Sequence, residues 1–136
     1  QGLVAAIQWL ASSFERRTAI KTLVRTPTSP IHLDKELELA AFRTSQEALT
    51  NIGKHACCKQ VTIDLTDDHQ VLTLEISDDG QGLSAGALDN PKAFGIKGMR
   101  ERAHAVGGWL DVSTNSQRGT SIILSVPLSK TGETLA

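Results

Sequence analysis

Apolar residues recur at Leu3, Ile7, Leu10 and Phe14, the i, i+4, i+7, i+11 spacing of one stripe along an α-helix. No capping residue precedes the stripe, as expected of a segment cut from a longer protein in or just before a helix. Thr18–Val24 is short and β-branched and predicts a strand. Arg25–Pro30, with Pro27 and Pro30 among Thr and Ser, predicts a loop. Asp34 is placed to cap a second helix, with Glu36 and Glu38 in its first turns, where a helix favours negative charge. That helix runs to about Ala56 and keeps Phe42, Leu49, Ile52 and Ala56 near one face.

Val61–Leu65 and Val71–Ser77 alternate apolar and polar residues, the period of half-buried strands, and Thr66–Gln70 joins them as a hairpin. A glycine-rich stretch without helical periodicity covers Asp78–Gly95. Lys97–Val106 reads as a helix stopped by Gly107-Gly108. Trp109–Thr114 and Thr120–Val126 make a second hairpin across Asn115–Gly119, and a polar tail follows Pro127. Hairpin-paired strands with helices gathered elsewhere predict an α+β two-layer sandwich, a mixed, mostly antiparallel sheet packed against about three helices.

The chain has 136 residues, enough for one domain with a core of its own. Its 14 basic and 15 acidic residues leave a formal charge of −1, which disfavours direct nucleic-acid binding. With three Phe, two Trp and no Tyr, the core must be aliphatic. Its apolar runs fall far short of the ~20 residues of a membrane helix, and no secretory signal is visible. The two cysteines, Cys57 and Cys58, are adjacent, which suits neither a disulfide framework nor a spaced metal site. They read as partly buried thiols of a domain in a reducing, cytoplasmic compartment.

Common nucleotide signatures are missing. Gly53-Lys54 is followed by His55, and Ala48 stands where a P-loop would begin with glycine. Gly80-Gln-Gly82 lacks the third glycine of a dinucleotide fingerprint, and His32, His55, His69 and His104 are too far apart for a local zinc motif. Four other features carry candidate chemistry. Glu47, Asn51 and His55 are spaced by four and stack on one helix face, with Lys54 beside them and Leu49 on the opposite side. Asp78-Asp-Gly80-Gln-Gly82 ends an apolar strand, so a fixed carboxylate meets glycines that let a ligand approach the backbone. Gly95-Ile-Lys-Gly98, followed by Met99-Arg100-Glu-Arg102, places exposed amides at a helix start, where anions bind. Gly119-Thr120 closes the set, and local cationic character gathers at Lys54, Lys97, Arg100 and Arg102. Each feature also has a plainer reading: a solvated helix face, a tight turn, a helix start, a hairpin turn.

Their order and spacing together are more specific. Gln46-Glu-Ala-Leu-Thr-Asn-Ile-Gly-Lys-His-Ala56, then Asp78-Asp-Gly-Gln-Gly82, then Gly95-Ile-Lys-Gly-Met-Arg-Glu-Arg-Ala103, then Gly119-Thr120 resembles the catalytic ATP-binding domain of sensor histidine kinases. Among these it is most similar to the nitrate-sensor and membrane-fluidity-sensor branch. The wider superfamily includes gyrase, the ninety-kilodalton heat-shock chaperone and MutL. The resemblance covers about residues 33–126 and implies the Bergerat ATP-binding fold, with ATP and Mg2+ as ligands. It implies that Glu47 polarises the phosphoryl acceptor, that Asn51 holds magnesium, and that Lys54 and His55 lie near the phosphates. Asp78 would select adenine, with Gly80 and Gly82 making room for the ring and residues 83–94 forming a lid. Gly95, Gly98 and Arg100 would face the phosphates and Met99 the sugar, while Gly119 and Thr120 support Asp78.

On the same resemblance, residues 1–17 are the end of a helical junction with a dimerisation domain. Residues 18–128 are the catalytic domain and 129–136 a flexible tail. The expected partners are the dimerisation and phosphoacceptor domain of the same parent protein and a response regulator. The fragment itself is cytoplasmic and the parent homodimeric and membrane-anchored. No acceptor histidine is expected within the chain, since His32 lies in a Pro-flanked loop and His69 in a hairpin turn. Two other readings stay open: a non-catalytic, nucleotide-responsive interaction module, and a related ATPase or serine kinase of the same superfamily.

Overall fold

A computed structural model describes residues 2–55, 57–82, 95–115 and 119–128. Helix α1 spans Gly2–Thr18 and buries Leu3, Ile7, Leu10, Ala11 and Phe14, the predicted stripe. The predicted first strand begins three residues too early. The Thr18 hydroxyl donates to the Phe14 carbonyl at 2.7 Å and accepts the Ile20 N–H, which keeps Thr18 in the helix. The chain then turns through Ala19 at φ 61, and β1 begins at Lys21 and ends at Arg25.

Helix α2 spans Lys35–His55, and Asp34 Oδ1 accepts the Leu37 N–H at 2.8 Å, the predicted cap. Its core face differs from the expected one. Leu37, Ala40, Ala41, Ala48, Leu49 and Ile52 are buried together with Thr44 and Ser45, whereas Phe42 is only half-buried. Small residues let α2 lie close against its neighbours, and the Ser45 hydroxyl satisfies itself on the Ala41 carbonyl. Ala56 lies outside the described residues.

Strands β2 (Gln60–Asp67) and β3 (Val71–Asp78) each extend beyond the predicted runs. Asp68 shapes their turn by accepting the N–H groups of Gln70 and Val71. Helix α3 (Ile96–Ala105) ends where Gly107, at φ 81, donates to the His104 carbonyl and Gly108 to the Ala103 carbonyl. Strands β4 (Trp109–Asn115) and β5 (Gly119–Pro127) complete the sheet. The order is β1-β2-β3-β5-β4, with β1 parallel to β2 and every other described pairing antiparallel. The parallel pair follows from α2, which carries the chain back across the sheet.

The two-layer α+β sandwich is therefore the architecture observed. Register aligns Ile63, Ile76 and Ile122 in one cross-strand row and Leu65, Leu74, Leu124 and Leu110 in the next. All seven are under 7% exposed, and the rows form the floor beneath the helices. Along β3 the same two-residue period puts Leu72, Leu74, Ile76 and then Asp78 on the inner face. A carboxylate thus ends an otherwise aliphatic row.

Candidate functional site

The start of β2, the end of β3, the start of β5 and the end of β4 share one edge of the sheet, through the pairs Val61–Asp78, Ser77–Ser121 and Asn115–Gly119. Of the predicted site residues, Asp78, Gly80, Gly119 and Thr120 meet at this edge.

Asp78 is 6% exposed. Burial pushes its carboxyl above the ordinary value, and the charge of Asp79 adds to this. The N–H groups of Gly80, at 2.8 Å, and Thr120 pull the other way. Two donors leave acceptor capacity on the carboxylate for an outside donor. The Thr120 hydroxyl pairs across the strands with that of Thr114 at 3.1 Å, so it is the Thr120 main chain that serves Asp78. Gly119, at φ 90, is required by contact as well as conformation. A Cβ there would collide with the Asp78 carbonyl oxygen and lie 2.7 Å from its Oδ1.

Asp79 has a different task. Its Oδ1 accepts the N–H groups of Lys59 and Gln60 at 2.9 and 3.0 Å, tying the α2–β2 connection to the end of β3. Partial burial opposes ionisation there, but these donors outweigh it and the carboxyl sits below its usual value. Cys58 lies within reach of both carboxylates. Burial first, then the charges of Asp78 and Asp79, push its thiol up to about 11. Sequence reasoning gave neither Asp79 nor Cys58 a place at the site. A Lys59–Asp79 contact spans 20 residues and has no local signature.

On the helical side, Glu47 and Asn51 are half-buried on α2, and Lys54 is exposed. The His55 side chain lies outside the description. The α3 start falls at Gly95–Ile96, one turn nearer the chain start than Gly98; Gly95 is left-handed at φ 65 and carries no side-chain cap. The Glu47 carboxylate fills the space beside Gly95, where a Cβ would collide with its Oε1. Met99 has no exposed surface and packs in the core. Lys97 and Arg100 are exposed, whereas Arg102 is turned inward and donates from Nη2 to Glu47 Oε2 at 2.9 Å. Arg102 therefore does not join Lys54, Lys97 and Arg100 as free positive charge, which corrects the sequence expectation. The proposed lid, residues 83–94, and the tail, 129–136, lie outside the described residues, as does Gln1.

Residues 36–130 match the family model described as histidine kinase-, DNA gyrase B-, and HSP90-like ATPase. The chain belongs to this ATPase family. Within it, the chain is 35% identical over 130 residues to the oxygen sensor histidine kinase NreB of Staphylococcus carnosus, covering 94% of this chain and 37% of that protein. It is 30% identical over 128 residues to the signal transduction histidine-protein kinase/phosphatase DegS of Brevibacillus brevis, covering 94% and 33%. This ATPase-family chain thus spans about a third of the length of the curated relatives it matches. Its fold matches the histidine kinase domain of the Erythrobacter litoralis EL346 blue-light activated histidine kinase, with TM-score 0.79, 23% identity, and 93% and 61% of the two chains covered. It also matches the Acinetobacter baumannii histidine kinase AdeS, with TM-score 0.78, 13% identity and coverage of 95% and 66%. Among the described residues, no helix is long and apolar enough to cross a membrane.

Proposed function

We propose that this chain is the ATP-binding catalytic domain of a two-component sensor histidine kinase. It transfers the γ-phosphoryl group of ATP to a histidine on the dimerisation and phosphoacceptor domain of the same parent protein, for relay to a response regulator. The observation that carries this reading is Asp78: a carboxylate buried at the end of a strand, held by the N–H groups of Gly80 and Thr120, and facing a glycine-rich approach. Such a group recognises the amino donor of a base and rejects a carbonyl at the same position.

The remaining roles follow from placement. Gly80 and Gly82 leave room for the adenine ring. Gly95 and Gly98 let the uncapped N–H groups of α3 approach the phosphates, Lys54 and Arg100 supply the cationic surroundings, and His55 lies near the phosphates. Met99 shapes the sugar side from within the core. Among the described residues no group of three His, Cys, Asp or Glu could hold a metal by itself. The Asn51 amide oxygen, with phosphate and water oxygens, fits the hard, oxygen-seeking Mg2+. When bound, the ion would neutralise charge on the phosphates. Glu47 orients and polarises the acceptor imidazole as its nitrogen bonds to the γ-phosphorus and the bond to the ADP oxygen breaks.

In this reading residues 1–17 continue towards the dimerisation domain, 18–128 form the catalytic domain and 129–136 are a tail. The domain works in the cytoplasm, with no direct nucleic-acid partner, for a homodimeric, membrane-anchored parent. Calorimetry with Mg-ATP tests the site: the wild type binds, and Asp78→Asn and Asn51→Ala bind at least tenfold more weakly. Equal binding by both variants would overturn the assignment. Acid-labile phosphohistidine, formed by the wild type and lost in Glu47→Gln, separates a histidine kinase from a serine kinase and from a non-catalytic nucleotide sensor.

A further inference from the structure

The Glu47–Arg102 pair joins α2 to α3 across 55 residues of sequence. Its two side chains are 36% and 30% exposed, so the attraction is screened and contributes little to folding. Its local cost is visible: Arg102 Nε is fully buried and has no hydrogen-bond partner among the described residues. One glycine makes the pair fit. A Cβ at Gly95 would collide with the Glu47 carboxylate, whereas one at Gly98 would lie 3.7 Å from Arg102 Nη1, an ordinary contact. A weakly stabilising contact that strands a buried N–H and needs a glycine beside it calls for an explanation beyond stability.

Resting on the function proposed above, we propose that Arg102 is the positioning residue of Glu47. Its guanidinium holds Oε2 and fixes the carboxylate against Gly95. Oε1, pinned beside the start of α3, is thereby presented to the acceptor in one orientation. A carboxylate on a flexible stem spreads over several rotamers, and fixing it removes that freedom before the reaction. The planar fork of arginine can do this, whereas lysine supplies charge without orientation. Gly95 then has two tasks: to bring amides towards phosphates, and to give this ion pair its seat.

The test measures Mg-ATP affinity by calorimetry and phosphoryl transfer to the parent protein's own acceptor-helix domain, supplied in trans. The set is wild type, Arg102→Ala, Arg102→Lys, Glu47→Gln and the double variant, each checked for folding by circular dichroism. Arg102→Ala should lower kcat about 10- to 100-fold while the Kd for Mg-ATP stays within about threefold. Arg102→Lys should recover part of the loss, and ethylguanidinium should partly rescue Arg102→Ala. The double variant should be no slower than Glu47→Gln, because Arg102 acts through Glu47. If Glu47→Gln transfers at the wild-type rate, the function assigned to Glu47 is wrong and the positioning role falls with it. If Glu47→Gln is impaired, three results overturn the positioning role alone: Arg102→Ala at the wild-type rate, a tenfold loss of nucleotide affinity in Arg102→Ala, or multiplied defects in the double variant. Should Arg102→Ala not fold, Arg102→Lys and Arg102→Gln decide the same comparison.

Discussion

Gly119 and Asp78 share a space that holds only one side chain. The first residue of β5 lies so close to the last residue of β3 that a Cβ on Gly119 would overlap the Asp78 carbonyl oxygen and approach its carboxylate Oδ1 to 2.7 Å. The next residue, Thr120, then donates its N–H to that carboxylate. Glycine at 119 thus sets how deep Asp78 can sit and which donor it meets, linking a hairpin end to the chemistry of the site.

Gly119→Ala should destabilise the protein by roughly 2–4 kcal/mol, through backbone overlap added to a left-handed φ of 90. Gly107→Ala is the matched comparison. It has φ 81 but nothing within 4 Å of an added Cβ, so it should cost only about 1–2 kcal/mol. Urea denaturation of the two variants measures the difference, and equal losses would show that contact with Asp78 is immaterial.

Asp78→Asn should keep or raise the stability of the nucleotide-free protein while abolishing tight ATP binding. The folded carboxyl is raised above its unfolded value, chiefly by burial. The native state therefore holds this proton more tightly, and the contribution of Asp78 to stability falls as pH rises through the window above the ordinary carboxylate value. At neutral pH the ionised group therefore leaves a net cost to stability. Thermal unfolding of both proteins between pH 3 and pH 7 should show the variant gaining on the wild type as pH rises; the opposite trend would contradict the burial argument.

Of the two thiols, Cys57 is exposed and Cys58 is half-buried with its thiol pushed up to about 11. At pH 8 a thiol reagent should modify one cysteine quickly and Cys58 at least tenfold more slowly, since the thiolate is the reactive form. Asp79→Asn removes one of the charges that raise Cys58 and should speed its modification. Mass spectrometry of the alkylated protein resolves the order of reaction, and rapid loss of both thiols at pH 8 would refute it.

Asp34→Ala removes the acceptor of the Leu37 N–H at the start of α2 and should cost about 1 kcal/mol. Asp34→Asn should restore most of it. Chemical denaturation checks both, and a loss under about 0.3 kcal/mol in the alanine variant would mean that water replaces the cap.

The stripe from Leu3 to Phe14, the Asp34 cap, the Gly107-Gly108 stop and the two hairpins were legible because each depends on neighbours a few positions away. Thr18 was misread because its β-branch favours a strand while its hydroxyl, bonded to the Phe14 carbonyl, extends the helix. On α2 the buried Leu49 and Ile52 were legible from apolar spacing, whereas Phe42 is only half-buried and close packing added Ala41, Thr44, Ser45 and Ala48.

By itself the sequence determined the α+β class, through its hydrophobic periods, and the identity and order of the candidate site residues. It also placed Asp78 on the inner face, since Leu72, Leu74 and Ile76 set a period that Asp78 continues. Tertiary structure alone decided what those residues touch: Asp78 with Thr120, Asp79 with Lys59, and Glu47 with Arg102. The physical reason is one of range. Periodicity, capping and turns act over a few residues along the chain, whereas a carboxylate's partner is set by which distant backbone or guanidinium the packed sheet and helices bring within 3 Å.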